Sequence, residues 1–227
     1  MNQLLAVVIP LSLGAAVSPT VLTVVVLTLS GKVAPRARAW AETAGVTVGL
    51  VLATILFLVA AQWLATMRPN PTVLASTDVL FGVALLGLAV WTAVRKKPAS
   101  AKQRARRGPK DSAGAALPAY FGIGLALLVT DASSIVLYLP AMKEIVNSSV
   151  AQPQKLAVAA IPFFAVIAPA LIPAALASIA PKTADRILKP FGVWVEAHSK
   201  EVTMAIEVVF GVALLLKGGS KLLHFHF

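Results

Sequence analysis

The sequence predicts an all-α integral membrane protein with six transmembrane helices, arranged as two inverted-topology three-helix repeats. Three observations lead there: long apolar runs in a chain with few charges, a steep asymmetry in where Lys and Arg fall, and a nine-residue motif that occurs twice. Of 227 residues, 58% are hydrophobic and 13% charged. A soluble domain carries roughly 25% charged residues, so much of this surface is expected to face lipid. The chain has no cysteine, which excludes disulfides, thiolate metal sites, iron–sulfur ligation and cysteine nucleophiles.

A spanning helix needs about 20 mainly apolar residues. Six stretches qualify: about Leu4 to Leu29, Trp40 to Leu64, Asp78 to Val94, Leu117 to Ala141, Leu156 to Ala180 and Val202 to Leu216. They are continuously apolar, whereas a membrane strand would alternate, so helices are preferred to a barrel. A cleaved signal peptide ending near Gly14-Ala15-Ala16 is disfavoured, because Met1-Asn2-Gln3 carries no Lys or Arg and the apolar run continues to Leu29. The chain divides into a first three-helix repeat (residues 1–94), a basic linker (95–116) and a second three-helix repeat (117–227).

The net charge of +11 is clustered. With the linker in the cytoplasm, fifteen of the 20 Lys and Arg residues fall on that side: Lys32, Arg36, Arg38, the eight between Arg95 and Lys110, and Lys182, Arg186, Lys189 and Lys200. Arg68, Lys143, Lys155, Lys217 and Lys221 fall on the other. The positive-inside rule therefore puts both termini outside, in a multi-pass protein of the cell inner (plasma) membrane. The basic linker is a topology signal and a contact for anionic membrane lipids, and no nucleic-acid partner is expected.

Residues 78–86 read DVLFGVALL and residues 207–215 read EVVFGVALL, identical at seven of nine positions, with Asp78 matched by Glu207. Three helices per half turn the second half upside down. Two such halves can exchange conformations and open a central site to each side in turn, which argues for transport.

The first span carries Gly14-Ala15-Ala16-Val17-Ser18-Pro19-Thr20 about halfway along. Proline removes an intrahelical hydrogen bond and clashes with the preceding turn, so the helix is expected to kink or break there, freeing carbonyls near Ala15 and Ala16. Ser18, Pro19 and Thr20 would then supply oxygens and a half-helix N-terminus to a substrate; an ordinary kink satisfied by its own hydroxyls is the plain alternative. The fourth span has Thr130-Asp131-Ala132-Ser133-Ser134 at its middle. A carboxylate at the bilayer centre is costly unless protonated, paired or facing water, which makes Asp131 the strongest site candidate, with Thr130, Ser133 and Ser134 around it. The alternative is a helix N-cap, and the two roles are compatible.

Asp78 and Glu207, near the expected starts of the third and sixth spans, are candidates for a gate or proton relay, with stabilisation of the helix dipole as the simpler role. Pro162, Pro169 and Pro173 in the fifth span predict a bent or segmented helix, either a hinge or a static kink. Gly45 and Gly49 form a G-x-x-x-G that permits close helix approach. His224 and His226 at the C-terminus lack the further ligands a metal site needs. No triad, phosphate-binding glycine loop or cofactor motif is present, so no catalytic residue, no metal and no cofactor is expected, and an enzyme is disfavoured.

GAAVSPTVL (residues 14–22), the basic linker, FGIGLALLVTDASSIVLYLPAMKEI (121–145), ADRILKPFGVWVEAHSKEV (184–202) and the FGVALLLKG segment that follows resemble the GAP (glycolipid-addressing protein, Sap-like) family of the lysine exporter (LysE) superfamily. The resemblance covers nearly the whole chain. It implies six helices in two inverted repeats and an exporter-like role. Superfamily members are associated with export of amino acids and metal cations, and the GAP branch with moving glycolipids to the cell surface. The family's small-Ser-Pro element maps onto Ser18 and Pro19. Where relatives often have an Asn-containing break in the fourth span, this chain has Asp131.

The reading that joins these features is a secondary transporter that moves a small solute or a (glyco)lipid out of the cytoplasm by alternating access. Its partners are membrane lipids, the substrate and a coupling ion, proton or cation, and a homodimer is expected from its size. The alternative is a non-transporting membrane accessory protein for surface glycolipid export.

Overall fold

The computed structural model describes residues 1–31, 33–66, 71–94 and 117–224. The basic linker at 95–116 lies outside these residues, and so does the end of the tail at 225–227 that contains His226. The described residues form eight helices and no strand: α1 Asn2–Ala16, α2 Pro19–Leu29, α3 Pro35–Thr66, α4 Pro71–Val94, α5 Leu117–Thr130, α6 Ala132–Asn147, α7 Gln152–Ile179 and α8 Pro181–His224.

Proline sets half of the starts. It is the first residue of α2, α3, α4 and α8, where its fixed φ suits the first turn and its missing N–H is no loss. Ahead of Pro35, Ala34 takes φ 43°, a left-handed conformation uncommon for a residue other than glycine.

Four helices contain stretches long and apolar enough to cross a membrane: Pro35–Trp63, Ser76–Val94, Gln152–Ile179 and Ala197–Leu222. Two bent pairs reach that length only together, α1 with α2 at 45° and α5 with α6 at 69°. The outer surface agrees with a lipid solvent. Leu56, Trp63, Leu80, Val90, Val129, Leu156 and Ile179 are all largely exposed, a display of apolar side chains that a water-facing monomer rarely shows. The protein is a membrane protein.

Two expected boundaries move. The third helix begins at Pro71, so Asp78 stands about two turns inside it. The sixth begins at Pro181 and runs 44 residues, far upstream of Val202. Its first turns carry Lys182 and Arg186 yet bury Ala184, Leu188 and Val195; an amphipathic helix of this kind does not register as a continuous apolar run. Both Asp78 and Glu207 therefore lie beyond the first turn, where the helix dipole has little effect. The dipole role is replaced by the contacts described below. Of the two expected forms of α7, bent or segmented, the second is not seen: Pro162, Pro169 and Pro173 lie inside one continuous helix.

Packing follows small residues. α3 lies along α5, and Gly45 and Gly124 put the two backbones in contact: a Cβ on Gly45 would come within 2.1 Å of the Phe121 carbonyl oxygen, and one on Gly124 within 2.1 Å of that of Glu42. Gly49 continues the seam against Leu125 and Leu128. α4 lies along α8. There Gly82 faces the Gly211 carbonyl and Leu215, while Gly211 faces the Gly82 carbonyl and Leu86. The two copies of the repeated motif thus meet each other, and the crossed register, 82 with 215 and 86 with 211, makes the contact antiparallel. α1 packs against α6 and α7, and α2 against α7 and α8. The shared core is built on Val8, Ala15, Val25, Leu50, Leu85, Leu137, Tyr138 and Ala170.

Candidate functional site

The two helix breaks meet. At the first, the Val17 N–H donates to the Gly14 carbonyl and the Ser18 N–H to that of Ala16, so the Ala16 oxygen expected to be free is taken. Ser18 is the N-cap of α2; its Oγ accepts from the Val21 N–H at 3.3 Å, and Pro19 follows as the first helical residue. Ser18 and Pro19 are buried, whereas Thr20 is exposed and points away from the break.

At the second break Asp131 occupies the N-cap position of α6, but its side chain makes no capping hydrogen bond. The carboxyl group is 8% exposed and is surrounded by the hydroxyls of Ser134, Ser18 and Ser133. Ser133 donates to Oδ1 at 3.3 Å. Ser134 Oγ is buried beside the same carboxyl group. Thr130 stands outside the group: it is exposed and its hydroxyl donates to the Leu127 carbonyl at 3.1 Å.

Glu207 of α8 joins the same region. It is buried, accepts from the Thr92 hydroxyl of α4, and lies near enough to Asp131 for the two carboxyl groups to feel each other's charge. Its Oε2 has no hydrogen-bond partner among the described residues. One turn on, the Phe210 ring lies against Gly14, where a Cβ would come within 2.6 Å of it. A glycine just before the first break is what lets α8 come this close.

Asp78 is equally buried but belongs to a different cluster. Lys143 of α6, itself buried, makes an ion pair with Oδ1, and Lys221 of α8 stands 3.8 Å from Oδ2. Lys217 pairs with Glu144 at 2.9 Å nearby on the same two helices. This group joins α4, α6 and α8 at the end of the bundle remote from the α2–α3 connection.

An apolar cleft of about 420 Å³ opens beside the first break. Val17, Ser18 and Pro19 form one wall, Pro169, Ile172 and Pro173 of α7 another, and Phe191, Trp194 and Val202 of α8 a third. Pro162, the remaining proline of α7, is buried and does not line it. Trp194 stacks between Phe191 and His198, which gives that wall a flat aromatic face. The volume falls within the roughly 300–1,000 Å³ of small-molecule sites. Ser18 is the one hydroxyl-bearing residue of the lining, and it also belongs to the Asp131 cluster; the rest of the wall is largely apolar. Among the described residues no group of three or more His, Asp or Glu side chains is placed to hold a metal ion.

Sequence reasoning missed Lys143, which reads as a charge at a span end, and Glu42, which stands between Trp40 and an apolar run. The spacing of charges carried no signal for either; their partners lie far away along the chain or on other helices.

Comparison with known proteins gives one family. The family described as Sap, sulfolipid-1-addressing protein, matches residues 8–220. Neither the curated proteins nor the solved structures contain a match to the chain. The matched segment is nearly the whole sequence, and the chain belongs to this family.

Proposed function

For this member of the Sap family we propose a secondary transporter that moves a lipid of the sulfolipid class out of the cytoplasm by alternating access. The observation that carries the reading is the convergence of two broken helices, at Ser18 and Asp131, with an apolar cleft opening beside the first of them. Broken helices inside a membrane are tolerated where they line a cavity or are buried in protein, and in transporters they form the substrate and ion sites. The cleft accepts an acyl chain between Pro169, Pro173 and Trp194. The hydroxyls of Ser18, Ser133 and Ser134 meet the polar part of the lipid.

Asp131 and Glu207 form the coupling site. Two carboxyl groups that sense each other in a buried setting resist being ionised together, so a proton shared between them is the economical state, and its release changes what the pocket can hold. Asp78 with Lys143 acts as a gate at the opposite end. In this reading each bent pair is a single span, giving six spans in two inverted three-helix repeats. The reciprocal contact of the two FGVALL motifs supports that symmetry. Pro169 and Pro173 provide a hinge at the cleft wall. The basic linker orients the chain, with both termini outside the plasma membrane, and the work is transport, not catalysis.

The test uses purified protein in proteoliposomes with a fluorescent sulfolipid in the inner leaflet and an imposed proton gradient. Wild-type protein transfers the lipid to the other leaflet faster with the gradient than without it. Asp131→Asn, which keeps shape and removes the titratable group, is expected to lose the gradient-dependent rate while remaining folded. Unchanged gradient-dependent transfer in that variant would refute the assignment.

A further inference from the structure

Away from Asp131 and Glu207, the interior holds another carboxyl group without a cation on it. Glu42 of α3 is 0% exposed. The Thr28 hydroxyl of α2 donates to its Oε1 at 2.9 Å, and its Oε2 is buried with no hydrogen-bond partner among the described residues. α3 packs against α5, α7 and α2. α2 and α7 bring no ionisable side chain to the middle of this face: α2 has none at all, and the only one on α7 is Lys155, in its first turn. α5 has only Tyr120, whose ring lies under the Arg38 guanidinium with 5.1 Å from Cζ to the ring centroid. Arg38 Nη1 is 3.5 Å from the Tyr120 hydroxyl, so this buried arginine is directed to α5.

The surroundings also select among ligands. Among the described residues Glu42 belongs to no group of His, Asp or Glu side chains that could hold a metal ion, and such an ion needs room for several oxygen ligands. A bare proton needs no such space. An uncompensated carboxylate buried in protein is far more costly than the neutral acid, and one oxygen held by a donor with the other free is the arrangement of a carboxyl group that takes up a single proton.

We propose that Glu42 is a second proton-binding site, separate from the Asp131 cluster. The proton comes from hydronium at the aqueous face near the α2–α3 connection and forms an O–H bond at Oε2; the carboxylate charge is neutralised, and the reverse step returns it. Thr28 holds Oε1 in both states. Thr28 lies ten residues beyond Ser18 on α2, about 15 Å along the helix at 1.5 Å per residue. The two sites therefore titrate through different surroundings. This assignment goes beyond the transport reading and does not depend on it.

The test is infrared difference spectroscopy on the purified full chain in lipid nanodiscs after a pH jump, read at the carbonyl stretch of protonated carboxyl groups. Glu42→Gln keeps the acceptor for Thr28 and is expected to lose intensity equivalent to one carboxyl group, while Asp131→Asn retains that component. Thr28→Val leaves Glu42 in place and is expected to shift the same component as its hydrogen bond disappears. A Glu42→Gln spectrum with wild-type intensity overturns the proposal. Should that variant fail to fold, a Thr28→Val spectrum identical to wild type overturns it equally.

Discussion

The surroundings of Asp78 and Glu207 differ more than their sequences do. The two acids open the same motif, on helices that touch through its two copies, and both are buried. Yet Asp78 is held by Lys143 with Lys221 behind it, whereas Glu207 has the Thr92 hydroxyl and faces Asp131. Lys221 and Thr92 are themselves equivalent, each standing fourteen residues after its own helix's acid. One position of a repeat has thus been given a cation at one end of the molecule and a hydroxyl at the other. The first arrangement fixes a charge in place; the second leaves a carboxyl group that can gain or lose a proton without breaking an ion pair. Repetition of a motif in the sequence does not carry the same partners with it.

The largest expected effect comes from breaking the fixed end. Lys143→Met leaves Asp78 buried with only the more distant Lys221, and removal of one member of a buried pair costs about 3–5 kcal/mol. Denaturant unfolding in mixed micelles should show that loss, and adding Asp78→Asn to the same chain should recover much of it. A smaller effect tests the symmetric part. Gly82→Ala and Gly211→Ala each drive a Cβ into the opposing helix at 2.8–2.9 Å, and overpacking of this sort costs about 1–3 kcal/mol. The two losses should be alike; a large loss in one and none in the other would mean that the motifs do not meet as equivalents. The smallest effect belongs to the adaptable end. Glu207→Gln keeps an acceptor for Thr92 and replaces an oxygen that had no partner, so stability should stay within about 1 kcal/mol of wild type, while gradient-dependent transfer of sulfolipid falls. A destabilisation as large as that of Lys143→Met would remove the contrast.

Much of the fold was legible because the cues were local. Pro19 announced the first break, whereas the prolines at 35, 71 and 181 stand at helix starts that the apolar runs had placed later, at Trp40, Asp78 and Val202. Asp131 stood out as an acid in an apolar run, and Gly45 and Gly49 marked a seam that α5 occupies. What escaped was set by distance along the chain. Lys143 and Asp78 are 65 residues apart, so a lysine that seemed to mark a span end is instead the partner of a buried acid. The meeting of Glu207 with Asp131 likewise depends on how α8 crosses the bundle. Thr20 and Thr130 were drawn in by proximity in sequence, but a helix turns about 100° per residue, and both hydroxyl-bearing residues rotate out to the surface. The early start of α8 was hidden by its charges: Lys182 and Arg186 are exposed on a helix that buries Ala184 and Leu188 between and after them.

That long helix has a mechanical consequence. At 1.5 Å per residue its 44 residues form a rod of about 66 Å, roughly twice the thickness of a bilayer's hydrocarbon core. Phe191 and Trp194 in its first half wall the cleft, and Glu207 in its second half sits beside Asp131. Both lie beyond Pro190, the proline inside this helix, on one stretch of it. Along the residues from Phe191 to Glu207, about 24 Å at this rise, a tilt therefore moves the aromatic wall and the acid together.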